Sequence, residues 1–130
     1  MKRLMLAAVP AVMIGGALAA TATPASAVGG TLFCQVISNH TGSSGGSEPG
    51  SCGPSVADSS YVLDYGVAGG SAPYSWSVPG GHTVIGGCNS SSPFCDITAR
   101  GVTHDQEITV SVSGISATAF IPAVCGSEFC

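Results

Sequence analysis

The sequence predicts an all-β protein, an antiparallel β-sandwich stapled by disulfides, on three observations. Several short segments after residue 27 alternate apolar and polar residues with a period of two, which sends successive side chains to opposite faces of a strand. Gly, Pro, Ser and Asn punctuate those segments at regular intervals, as turns require. The six cysteines of this 130-residue chain, an even number in a short chain, read as a cross-linking framework.

The first segment is addressed to the secretory machinery. Lys2 and Arg3 form a positive start, and residues 4–20 are apolar apart from Pro10 and the Gly15-Gly16 pair. Ala25-Ser26-Ala27 then supplies a small-x-small exit. Charge, apolar stretch and small-residue exit in that order predict a cleavable signal peptide over residues 1–27. A membrane anchor is the rival, but the apolar run is near the lower limit of about 17 residues for a span and contains helix breakers. Lys2-Arg3 is not a twin arginine, and Thr31-Leu32-Phe33 before Cys34 does not form a lipoprotein processing site, so the general route and an extracellular destination are expected. The mature part, residues 28–130, is one domain of about a hundred residues. Residues 28–54 hold a first strand and a Gly/Ser-rich loop, and residues 55–130 the sandwich core.

Cleavage removes two of the three basic residues. Arg100 then stands alone against Glu48, Asp58, Asp64, Asp96, Asp105, Glu107 and Glu128, a net charge of −6 with histidines neutral. One positive side chain cannot neutralise a row of phosphates, which excludes nucleic acid as a partner. Electrostatic attachment to anionic lipid is disfavoured for the same reason. The acidity keeps the domain soluble, and a monomer is expected.

Cys34, Cys52, Cys88, Cys95, Cys125 and Cys130 all lie after the signal. Zinc is the competing use, but zinc sites favour closer cysteine pairs than 88/95 or 125/130, and the compartment is oxidising. The segments 88–95 and 125–130 are short, turn-rich loops whose ends can meet. That leaves Cys34 with Cys52 around a flexible segment, residues 40–50, a closure that stabilises by about 3 kcal/mol in the chain-entropy model. The rival connectivity ties Cys34 to Cys125, first strand to last.

Residues 32–38 make a plausible first strand, and residues 40–54 are a loop by composition. Tyr61, Leu63, Tyr65 and Val67 alternate with Val62, Asp64, Gly66 and Ala68. After the turn at residues 69–73, Tyr74, Trp76 and Val78 alternate with serines, and residues 82–85 form a short run. Cys95, Ile97 and Ala99 oppose Asp96, Thr98 and Arg100, and Ile108, Val110 and Val112 give the clearest strand. A last strand over residues 116–124 turns Ala117, Ala119, Ile121 and Ala123 to one face.

The run Gly69-Gly70-Ser71-Ala72-Pro73-Tyr74-Ser75-Trp76-Ser77-Val78-Pro79-Gly80-Gly81 resembles the centre of an immunoglobulin-like (Ig-like) domain of the PKD type. There a Gly-rich turn leads into a Tyr-x-Trp strand with a further Gly turn close behind. Residues 101–112, ending Thr109-Val110-Ser111-Val112, resemble the closing hairpin of that family. The whole is also similar to small secreted actinobacterial proteins. The resemblance covers roughly residues 55–124 and implies an Ig-like sandwich with Trp76 packed between the sheets. The family's acidic stretch after the Trp is replaced by Ser77-Val78-Pro79-Gly80-Gly81, so no role attached to those acids carries over. The mid-strand cysteine pair of antibody domains is absent as well.

Chemistry is sparse. His40, His82 and His104 are scattered over three loops, and no nucleophile elbow, zinc-protease helix motif, phosphate loop or dinucleotide fingerprint occurs. Asp105 and Glu107 beside His104 offer too few oxygens for calcium, which takes six or more, so no cofactor or metal is expected. Asn39-His40-Thr41 and Asn89-Ser90-Ser91 match the glycosylation pattern and are read as chance in a bacterial chain. The expected function is a non-catalytic module binding an extracellular protein or glycan, with Pro93, Phe94, His82 and His104 as candidate binding loops. A protease inhibitor presenting Pro93-Phe94 from a braced loop is the alternative, and a secreted hydrolase ranks third.

Overall fold

The computed structural model describes residues 29–124; the expected signal peptide and the expected Cys125–Cys130 staple lie outside the described residues. Nine strands follow in chain order: β1 (Thr31–Ser38), β2 (Glu48–Pro49), β3 (Ser51–Cys52), β4 (Ser60–Ala68), β5 (Trp76–Ser77), β6 (Thr83–Gly87), β7 (Phe94–Arg100), β8 (Gln106–Val112) and β9 (Ile115–Ile121). They form a five-stranded sheet of order β2-β1-β4-β7-β6 and a four-stranded sheet of order β3-β9-β8-β5. Pairing is antiparallel except for the two-residue β3–β9 contact, which is parallel. No helix forms among the described residues.

The period-two patterns become the two inner faces. Leu32, Cys34 and Val36 of β1, Tyr61, Leu63 and Tyr65 of β4, and Cys95, Ile97 and Ala99 of β7 are buried from one sheet. Ile108, Val110 and Val112 of β8 and Ala117, Ala119 and Ile121 of β9 are buried from the other. Each fully buried Leu, Ile or Val side chain stabilises the fold by about 1.5–3 kcal/mol. Tyr65 reaches across the core, where its hydroxyl donates to the Ile108 carbonyl at 2.9 Å. That bond satisfies the polar tip of a side chain otherwise surrounded by hydrocarbon, and burial pushes its ionisation far up.

The β8–β9 hairpin turns through Ser113 and Gly114, both with positive φ (47° and 96°). Positive φ at both central residues matches the right-handed twist of the flanking strands, and it sets the register Val112↔Ile115 to Gln106↔Ile121.

Two local staples form, Cys34–Cys52 and Cys88–Cys95, and the first removes the Cys34–Cys125 alternative. Cys34 lies on β1 and Cys52 on β3, so this bond joins the two sheets, and the chain has its own inter-sheet disulfide away from the antibody positions. The Cys88–Cys95 closure, with a sequence separation of 7, contributes about 2 kcal/mol in the chain-entropy model.

Two expectations need correction. The segment at residues 40–54 is more than a loop: it carries β2 and β3 and bridges Ser44 to Ile37, because its serines and glycines find main-chain partners on both sheets. The strand expected over residues 74–78 shrinks to Trp76–Ser77, since Tyr74 N donates to Ser90 O and the prolines at 73 and 79 lack an N–H. Trp76 and Tyr74 are half-buried against the rim of the core, while Tyr61 and Tyr65 occupy its centre. Trp76 stays on the inner face, opposite buried Val112, and packs against the core from the edge of its sheet.

Candidate functional site

The four candidate loop residues do not converge. Pro93 and Phe94 are exposed where β6 ends and β7 begins. His82, half-buried, precedes Thr83, which pairs with Thr98, and exposed His104 follows the far end of β7. The register therefore puts the histidines at the opposite end of the sheet from Pro93 and Phe94. The Cys88–Cys95 loop is held from within: the carbonyls of Ser90, Pro93 and Phe94 accept from Tyr74 N, Val67 N and Cys88 N. The Ser92 carbonyl accepts from the Trp76 indole at 2.9 Å, and Asn89 Oδ1 caps Ser91 N at 3.0 Å. Few main-chain groups are left to lie along an enzyme cleft.

Ser, His and Asp do meet once. Asp58 is buried, and five donors converge on its carboxylate: Ser38 Oγ, His40 N at 3.0 Å, His40 Nδ1 at 2.5 Å, Ser59 N at 2.6 Å and Ser60 N at 3.3 Å. The Ser38 hydrogen bond leads these in holding the carboxyl far below its usual range, against the opposing effect of burial. Asp58 N in turn donates to the Tyr61 hydroxyl at 2.5 Å, and that hydroxyl donates to Pro122 O. Ser38 and His40 both bond the carboxylate rather than each other, so no base faces the serine oxygen as nucleophilic catalysis requires. The arrangement is a clasp that closes β1, β4 and the chain after β9 at one corner.

Asp105, read from sequence beside a calcium-like turn, accepts from Ala123 N at 3.0 Å and closes the β7–β8 loop on the end of β9. Among the described residues, no three His, Cys, Asp or Glu side chains are grouped to hold a metal ion. No helix among them is long and apolar enough to cross a membrane.

A concavity does form on the outer face of the four-stranded sheet. It is an open groove of about 600 Å³, lined by Glu48, Ser51, Glu107, Thr118 and Phe120 with the bare backbone of Gly45 and Gly53. The alternation that buries Ala117, Ala119 and Ile121 turns Ser116, Thr118 and Phe120 outward. The same holds for Glu107 and Thr109 against Ile108 and Val110 on β8. Register places Glu107 opposite Phe120 and Thr109 opposite Thr118, whose hydroxyls bond at 2.8 Å. Glu48 comes from β2 on the other sheet, and the β2–β3 segment that crosses between the sheets is anchored by Cys34–Cys52.

Comparison with family models, with curated proteins and with solved structures finds no match to this chain. The resemblance of residues 55–124 to the PKD type therefore has no independent support, and what stands is the two-sheet, β-rich architecture. Apart from Glu107, weighed only as a calcium contact, the groove residues were not among the candidate site residues read from sequence. One signal pointed to them: Phe120 is a large aromatic at the solvent phase of a strand, where the pattern calls for a polar residue.

Proposed function

We propose that this protein is a secreted, non-catalytic binding module on an Ig-like, PKD-type sandwich, and that it engages an extracellular protein or glycan through the groove beside Phe120. The groove carries the reading. It combines a ring 45 % exposed with carboxylates and hydroxyls on a rigid sheet, the mix of apolar surface and a few convergent polar groups that binding sites use. The two disulfides fit an oxidising, extracellular setting, in line with cleavage after Ala27. Ser38, His40 and Asp58 are committed to one another as a clasp, which favours binding over hydrolysis. The inhibitor alternative relies on the Cys88–Cys95 loop, whose carbonyls already serve the scaffold.

Amide NMR of the mature protein titrated separately with a neutral hexasaccharide and a hexalysine peptide tests the reading. Shifts should cluster at Glu48, Ser51, Glu107, Thr118 and Phe120 for at least one probe, and Phe120→Ala should weaken that binding about fivefold. Perturbations confined to the Cys88–Cys95 loop, or none in the groove with either probe, would overturn it.

A further inference from the structure

The groove is chemically one-sided. Glu48 and Glu107 face it, and neither carboxylate has a hydrogen bond or an ion pair among the described residues. The rest of the outer face of that sheet carries hydroxyls: Thr109 and Ser111 on β8, Ser116 and Thr118 on β9, Ser51 on β3 and Ser77 on β5. The only arginine or lysine among the described residues is Arg100, on β7 of the other sheet. Phosphate, sulfate or uronate would meet two like charges and no counter-charge. A neutral sugar laid over the groove would desolvate both carboxylates without neutralising them.

A lysine or arginine side chain meets every group present. Its apolar stem can lie on the Phe120 ring, its charged head can hydrogen-bond Glu107 directly opposite that ring, and Glu48 can approach it from β2. The neighbouring hydroxyl rows offer donors and acceptors for the main chain of the same segment. The excess of acids over bases in the whole molecule draws a basic partner in from a distance.

We infer that the groove receives a lysine or arginine side chain from a basic segment of an extracellular protein partner, an inference that rests on the groove being a binding site. The test uses the mature protein with hexalysine, its fully Nε-acetylated form and a neutral hexasaccharide, by calorimetry and amide NMR at low and physiological salt. Hexalysine should perturb Glu48, Glu107 and Phe120 and bind more weakly as salt rises. Glu107→Gln should weaken it about tenfold, and Glu48→Gln severalfold. Acetylation should abolish the binding. Asp64→Asn, the same charge change on the other sheet, should leave it intact, and circular dichroism confirms that each variant is folded. Equal weakening by Asp64→Asn and Glu107→Gln, or equal binding of the acetylated peptide, would overturn the inference. Groove binding by the hexasaccharide without hexalysine would also overturn it while leaving the groove as a site; silence from all probes would remove the site itself.

Discussion

Two regions of the five-stranded sheet treat buried carboxylates in opposite ways. At the β1–β4 corner, Asp58 is 5 % exposed and surrounded by donors, and its carboxyl is held far below its usual range. At mid-sheet, Asp64 on β4 and Asp96 on β7 are half-buried and directly opposite each other in register. Neither has a donor among the described residues. The nearest candidate, Gln35, pairs with Asp64 in register but turns its amide to Ser44 Oγ at 2.7 Å, and Gly86 opposite Asp96 has no side chain. Burial pushes both carboxyls up, and for Asp96 the charge on Asp64 adds to it. The lesson is that donors, not depth, decide whether a carboxylate favours the fold. The more buried acid is the more strongly ionised.

The sharpest way to break the comparison is Asp58→Ala. It leaves the buried Ser38 hydroxyl and the Ser59 and Ser60 amides without their acceptor, so the melting temperature should fall by roughly 10 °C or more. A change of only a degree or two in thermal melts would show that the clasp does not hold the corner.

The double variant Asp64→Asn with Asp96→Asn should do the reverse at neutral pH. After allowance for solvent screening of these half-exposed groups, it should stabilise by up to about 1 kcal/mol. pH separates the two regions by sign. Asp58 titrates lower in the folded state than in the unfolded one, so its contribution is present above the unfolded value of 3.8 and is lost as pH falls through the folded value. Asp64 and Asp96 titrate higher when folded, so theirs is complete below 3.8 and is lost as pH rises through the folded values. Urea midpoints of the native sequence should therefore peak in mild acid. The double variant should flatten the neutral side of that profile and leave the acid side intact; an unchanged neutral side would refute the role given to the pair.

The smallest effect is expected from His40→Ala. The His40 ring is 67 % exposed, and the main-chain donor to Asp58 survives the substitution, so the loss should stay within about 1 kcal/mol by urea denaturation. A loss as large as that of Asp58→Ala would move the weight of the clasp onto the imidazole.

The strand faces were legible because period-two alternation is local: Tyr61/Leu63/Tyr65 and Ile108/Val110/Val112 are buried as the pattern requires. The Cys88–Cys95 staple was legible too, since a short turn-rich loop brings its own ends together, whereas Cys34–Cys52 was reached only as the remaining pair, with Cys34–Cys125 its rival until the structure decided. Trp76 packs against the core as read, but the sequence did not show that its strand would be two residues long at a sheet edge. The clasp was hidden by distance along the chain: Ser38, His40, Asp58 and Pro122 look like unrelated loop residues until the sheets bring them together.

The sequence by itself determined the all-β class, which side chains face inward and the excess of acidic over basic residues. Each of these depends on near neighbours in the chain or on composition. Only the tertiary structure decided that Asp58 gathers five donors while Asp64 and Asp96 gather none among the described residues. It alone brought Glu48 from one sheet beside Glu107 and Phe120 of the other to form a groove. The reason is physical: a carboxylate's energy and a groove's walls depend on what long-range strand pairing places within a few ångströms, and no period in the sequence records that.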